Sequence, residues 1–64
     1  METFTKQSIL NFLEQTADFI AHDIVSDDYT QKVFTASELD KLFANLFNHP
    51  ESKLNLFKQY LKYC

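Results

Sequence analysis

The amino-acid sequence predicts an all-α fold: a single domain over residues 1–64, a small bundle of three main helices with a short fourth helical segment. Three observations carry that expectation. Large apolar residues recur at the 3.6-residue period of a helix through most of the chain. Two Phe-Thr dipeptides, Phe4-Thr5 and Phe34-Thr35, each precede such a run as an N-terminal capping signal. A single proline, Pro50, divides the last two runs.

Helix 1 is expected at about 6–25. Thr5 suits its N-cap, because the hydroxyl oxygen accepts a bond from a backbone N–H that has no partner inside the helix. Phe4 before it meets Ile9 five residues on as a hydrophobic staple. Ile9, Phe12, Leu13, Thr16, Ile20 and Ile24 then mark one face, and Asn11, Glu14, Gln15, Asp18 and His22 the other. Phe12 and Phe19 widen one edge of the apolar arc, and Leu10, Ala17 and Ala21 the other, to roughly 200° at 100° per residue. Covering a small core takes much less.

Helix 2 is expected at about 36–48, where Thr35 and Glu38 stand at the spacing of a capping box and Phe34 and Leu39 at that of a staple. Leu39, Leu42, Phe43 and Leu46 form its inner face. The two helix starts lie 30 residues apart, and Ile9/Leu39, Phe12/Leu42 and Leu13/Phe43 align. Shared capping grammar accounts for this, since two copies are too few to establish a period.

Helix 3 is expected at about 50–63. Proline disfavours helical geometry in the residue before it, here His49, yet fits the first turn of a new helix. Leu54, Phe57 and Leu61 point inward, with Glu51 at the positive end and Lys58 and Lys62 at the negative end. Residues 26–33 are expected as irregular chain or a short helix. Asp23, Asp27 and Asp28 sit badly at the C-terminus of helix 1 but well at the start of another, and Tyr29 and Val33 lie four apart. The alternation of Tyr29, Gln31 and Val33 also suits a short extended piece.

Composition removes several classes. With no glycine and one cysteine, there is no glycine-rich phosphate loop, zinc finger or disulfide scaffold. Nine acids against six bases give a net charge of −3, and every base is a lysine. Bidentate reading of phosphate or guanine is mainly arginine chemistry. The halves also differ. Residues 1–30 hold Glu2, Glu14, Asp18, Asp23, Asp27 and Asp28 against Lys6; residues 31–64 hold Lys32, Lys41, Lys53, Lys58 and Lys62 against Glu38, Asp40 and Glu51. Such a dipolar chain can pair head to tail with itself or dock a charged partner. No stretch approaches the ~20 apolar residues of a membrane span. The first apolar run is broken by Asn11, Glu14 and Gln15, so no signal peptide is read, and the lone Cys64 is the last residue. A cytoplasmic, reducing setting is expected.

No catalytic residue, metal or cofactor is expected. Asp18 and His22, four apart, are only two ligands. Asp23 through Asp28 suggests a calcium loop but has no central glycine, and its twelfth position is Phe34 rather than glutamate. Cys64 lacks a placed base, and no carboxylate pair sits in the apolar setting that acid–base chemistry needs.

A second apolar stripe does stand out. Leu56, Tyr60 and Tyr63 fall at i, i+4 and i+7 on helix 3, nearly opposite Leu54 and Leu61. The chain carries 21 large apolar residues of Phe, Leu, Ile, Val and Met, whereas a domain this small encloses on the order of a dozen. Surplus apolar area marks an interface. The expected partner-binding residues are Leu56, Tyr60, Tyr63, Phe12 and Phe19, in a small acidic non-enzymatic interaction module: a regulator, adaptor, immunity protein or inhibitor that forms a homodimer or docks to a larger protein. The alternative is a helix-turn-helix-like DNA-binding regulator, with Lys53, Lys58 and Lys62 on phosphates and Asn55 and Gln59 on base edges of the DNA. Missing arginine and net acidity place nucleic acid second. Lysine-only, Phe/Asn/Ile-rich usage suits an AT-rich bacterial or phage genome.

Overall fold

The computed structural model describes residues 2–63; the Cys64 thiol lies outside the described residues. The elements run β1 (Thr3–Thr5), α1 (Lys6–Gln15), α2 (Phe19–Asp28), β2 (Val33–Thr35), α3 (Ala36–Leu46) and α4 (Pro50–Tyr63). The chain is mostly helical, as expected. It departs from the expectation in having four helices among the described residues, and in an antiparallel ladder between its two short strands.

The expected helix over 6–25 is two helices. Ala17 takes the left-handed conformation, with φ = 60°. The Asp18 N–H donates to Leu13 O at 2.8 Å and the Ala17 N–H to Glu14 O at 3.1 Å, the two bonds of a Schellman cap. The cap resets the rotational phase, so the buried residues of α2, Ala21 and Val25, do not continue the stripe of Ile9, Phe12 and Leu13. The wide apolar arc is two narrower arcs laid end to end. A left-handed alanine costs about 1–2 kcal/mol because its Cβ crowds the following carbonyl oxygen. Ala17→Gly is therefore expected to raise stability by about 0.5–1 kcal/mol, after allowing for the freedom that glycine adds to the unfolded chain. A urea midpoint at or below that of the parent would count against the left-handed turn.

Residues 26–33 are neither irregular throughout nor a separate helix. α2 continues to Asp28, Tyr29 turns extended, and β2 begins at Val33. The aspartates thus lie at a helix C-terminus, which the macrodipole disfavours. Lys6 compensates from the start of α1. Its Nζ donates to the carbonyl oxygens of Ser26 (3.4 Å) and Tyr29, and its backbone N–H donates to Lys32 O at 2.8 Å.

The ladder pairs Thr3 with Thr35, Phe4 with Phe34, and Thr5 with Val33. Strand side chains alternate between faces, so only the central phenylalanines point inward. Each strand runs straight into a threonine-capped helix. Thr5 Oγ1 accepts from the Ser8 N–H at 3.1 Å. Thr35 Oγ1 accepts from the Glu38 N–H at 3.2 Å, and Glu38 Oε1 accepts from the Thr35 N–H at 2.9 Å, which completes the capping box. That backbone bond, with a second from the Gln31 side chain, holds the Glu38 carboxyl below its ordinary range.

The register maps onto itself when each residue is exchanged for its equivalent 30 positions away: Thr3–Thr35 becomes Val33–Thr5, and Phe4–Phe34 is unchanged. That is the register of an internal twofold passing between the two phenylalanines. The 30-residue alignment is more than shared capping grammar: in the structure it is a repeat, strand–helix–helix, with Ile9/Leu39, Phe12/Leu42 and Leu13/Phe43 all buried.

The second helices break the symmetry. α2 buries only Ala21 and Val25, whereas the longer α4 places Phe57 at the centre of the molecule. Its ring centroid lies 5.9 Å from Phe4, 5.2 Å from Phe12 and 5.7 Å from Phe43. Leu54 and Leu61, expected inward with it, are half-buried. α4 has the expected bounds; α3 stops at Leu46 rather than 48, where Phe47 turns extended. The core holds eleven apolar residues among those described.

Candidate functional site

Leu56, Tyr60 and Tyr63 share one face of α4. With Gln59, with Phe12 and Gln15 of α1 and with Thr16 at the C-cap of that helix, they line a groove of about 320 Å³. Leu56 is 48% exposed and Tyr63 80%. Tyr60 is half-buried, its ring 5.5 Å from Phe12 and stacked on Phe57 at 6.5 Å. α4 can build this wall because it is longer than α2. The equivalent stretch of the first repeat leaves its helix at Asp28 and turns toward β2.

Two of the expected contact residues stand differently. Phe12 is only 2% exposed: it lies on the buried stripe of α1 with Ile9 and Leu13, and forms the groove's floor rather than free surface. Phe19 is not in the groove. It opens α2 beside Ile20, and the two are 58% and 81% exposed over a second hollow lined also by Ala17, Ile24, Leu46 and Phe47. The period of an unbroken helix placed Ile20 on the inner face. The turn at Ala17 rotates it outward, and no glycine in the sequence marks that turn.

The corner Thr16–Ala17–Asp18 separates the groove from this hollow. Lys53 of α4 reaches across to it: its Nζ donates to Asp18 Oδ2 at 2.7 Å and lies 5.1 Å from the centroid of the Phe47 ring. Thr16 Oγ1 donates to the same carboxylate oxygen at 2.6 Å. Burial raises the Asp18 pKa, but the bonds from Lys53 and Thr16 and the lysine charge outweigh it, and the net shift is downward. With the folded value below the unfolded one, the bridge stabilises the fold at neutral pH. That contribution is complete above the ordinary aspartate range and is lost as pH falls from there through the lowered value. Lys53, which the DNA-binding alternative places on a phosphate, is bonded within the molecule, while Asn55, Lys58 and Lys62 remain exposed. Lys62 Nζ stands 5.7 Å from the Tyr63 ring at the groove's rim.

His22 faces Asp23 at 3.5 Å rather than Asp18. Among the described residues, no group of three or more His, Cys, Asp and Glu side chains could hold a metal ion. No helix among them is long and apolar enough to cross a membrane. No family model matches the chain, and no curated protein or solved structure matches it.

Proposed function

We propose that this chain is a non-enzymatic protein–protein interaction module of the cytoplasm, a small regulator, adaptor or inhibitor, working through the α1/α4 groove. One observation carries the reading. Leu56 and Tyr63 stay exposed around a floor made by Phe12 and Tyr60, in a molecule whose core is already filled by other residues. Tyrosine suits such a place, because its ring supplies large contact area while its hydroxyl can be satisfied at a wet rim. The amides of Gln15 and Gln59 and the hydroxyl of Thr16 provide a polar border of the kind interfaces use. The helix-turn-helix alternative is weaker with Lys53 engaged by Asp18, since α4 then offers only Lys58 and Lys62 to phosphates.

The test is photo-crosslinking in the native host, with the reactive group placed at Leu56, at Tyr63, or at exposed Ser37 on α3 as a control. Protein adducts are expected from the two groove positions and not from Ser37. No adduct from the groove, or equal labelling from Ser37, overturns the reading.

A further inference from the structure

We infer that the occupant of the groove is a second copy of this chain, which lays Phe19 and Ile20 of its α2 against Leu56 and Tyr63, the two copies doing so reciprocally about a twofold axis beside the Thr16–Asp18 corner. The inference rests on the groove being a docking surface and names what docks there.

Position is the first argument. Thr16 borders the groove, and Ala17 and Asp18 border the hollow beneath Phe19 and Ile20, so the two apolar patches flank one turn of chain. A single partner can cover both. A twofold interface requires a self-complementary surface, in which patch A meets patch B and B meets A. Two unlike patches on either side of one corner meet that requirement.

Charge is the second. α2 carries Asp23, Asp27 and Asp28, all exposed, and no lysine. α4 carries Lys62, exposed beside Tyr63 at the rim of the groove, while Lys58 lies on the far side of the helix with Leu54 and Asp40. Setting α2 of one copy on α4 of the other brings opposite charges to the rim. Setting α4 on α4 brings Lys62 of one copy toward Lys62 of the other, which costs specificity and association rate.

Area is the third. A standard interface buries ~800 Å² per partner, roughly a fifth of this molecule's 4467 Å² surface. The α4 patch alone offers Leu56, Tyr63 and part of Tyr60. Adding Phe19 and Ile20 gives the contact an apolar centre drawn from both patches.

Sedimentation velocity on the full reduced chain at about 100 µM is expected to give twice the 7.6 kDa mass of one chain. Ile20→Lys and Leu56→Asp should each reduce it to monomer. Both positions are exposed, and circular dichroism checks that each variant stays folded. Tyr63→Asp serves as the second α4 variant. A one-to-one mixture of Ile20→Lys and Leu56→Asp should sediment as a dimer again, because the pair retains one intact α2–α4 contact. Raising the salt about tenfold should weaken the parent dimer several-fold, as screening of the rim charges requires. A parent that stays monomeric, a dimer indifferent to Ile20→Lys, or a mixture that stays monomeric each overturns the inference. Should the parent be monomeric while Leu56 and Tyr63 still crosslink to a different protein, the groove stands as a docking surface and the second copy does not.

Discussion

Phe57→Ala is expected to leave the chain largely unfolded at 25 °C. The side chain is fully buried, and its ring meets those of Phe4, Phe12, Phe43 and Tyr60. It therefore joins the ladder, both first helices and α4. Truncating a buried phenylalanine costs about 3–5 kcal/mol, part of it from the cavity left behind. A single core in a chain this short rarely supplies more than about 3–5 kcal/mol of net stability. The loss matches the whole. Leu54→Ala is the contrast, at a half-buried position on the same helix, and should cost about 1 kcal/mol while keeping a cooperative transition. Far-UV circular dichroism with urea titration of the two variants decides the matter. If Phe57→Ala retains a midpoint near the parent and Leu54→Ala does not, α4 presents a different face to the core.

What was legible in the sequence was the chemistry of helix starts. Thr35 with Glu38 and Pro50 after His49 placed the first residues of α3 and α4, because a capping box and a proline act locally and leave a local signature. The break at Ala17 was not legible. A Schellman turn usually announces itself with glycine, and here an alanine holds the left-handed position, so the apolar pattern on either side merged into one long helix. The strands were hidden for another reason. Three residues give one inward side chain each, and Phe4 and Phe34 already had a sufficient role as staples. Their pairing spans 30 residues, and nothing in the period of either segment specifies it. Leu56, Tyr60 and Tyr63 grouped as expected because they depend only on the regularity of one uninterrupted helix. Phe19 did not join them, because its place depended on the helix that was broken.

α2 is the thinly held element. It buries only Ala21 and Val25, and both of its ends are tied by lysines from elsewhere. Lys6 holds the carbonyls at its C-terminal end, and Lys53 holds Asp18 at its N-terminal end. Such clamps position a helix without covering it. They leave Phe19 and Ile20 outside while fixing where the pair points, which is what an interface residue needs from its scaffold. Elements with few buried apolar contacts are also the ones that open first, so any partner covering this helix would stabilise it most.

The internal twofold makes a second prediction with a large effect. Phe34→Ala should cost about 3–5 kcal/mol, although Phe34 belongs to a strand of only three residues. Its ring is buried 6.2 Å from Tyr29, and it faces Phe4 across the ladder, next to the Thr35 cap of α3. Alanine would empty that space and release the end of α2, the ladder and the α3 cap together. Since that variant is expected to be mostly unfolded, coupling is better read from Phe4→Leu, Phe34→Leu and the double variant, each losing less volume. Residues acting through one shared contact are non-additive by about 0.5 kcal/mol or more, whereas independent sites add within about that error. The double variant is therefore expected to lose less stability than the sum of the singles in urea titrations. Strict additivity would mean that each phenylalanine serves only as the staple of its own helix, and that the ladder between them contributes nothing to the fold.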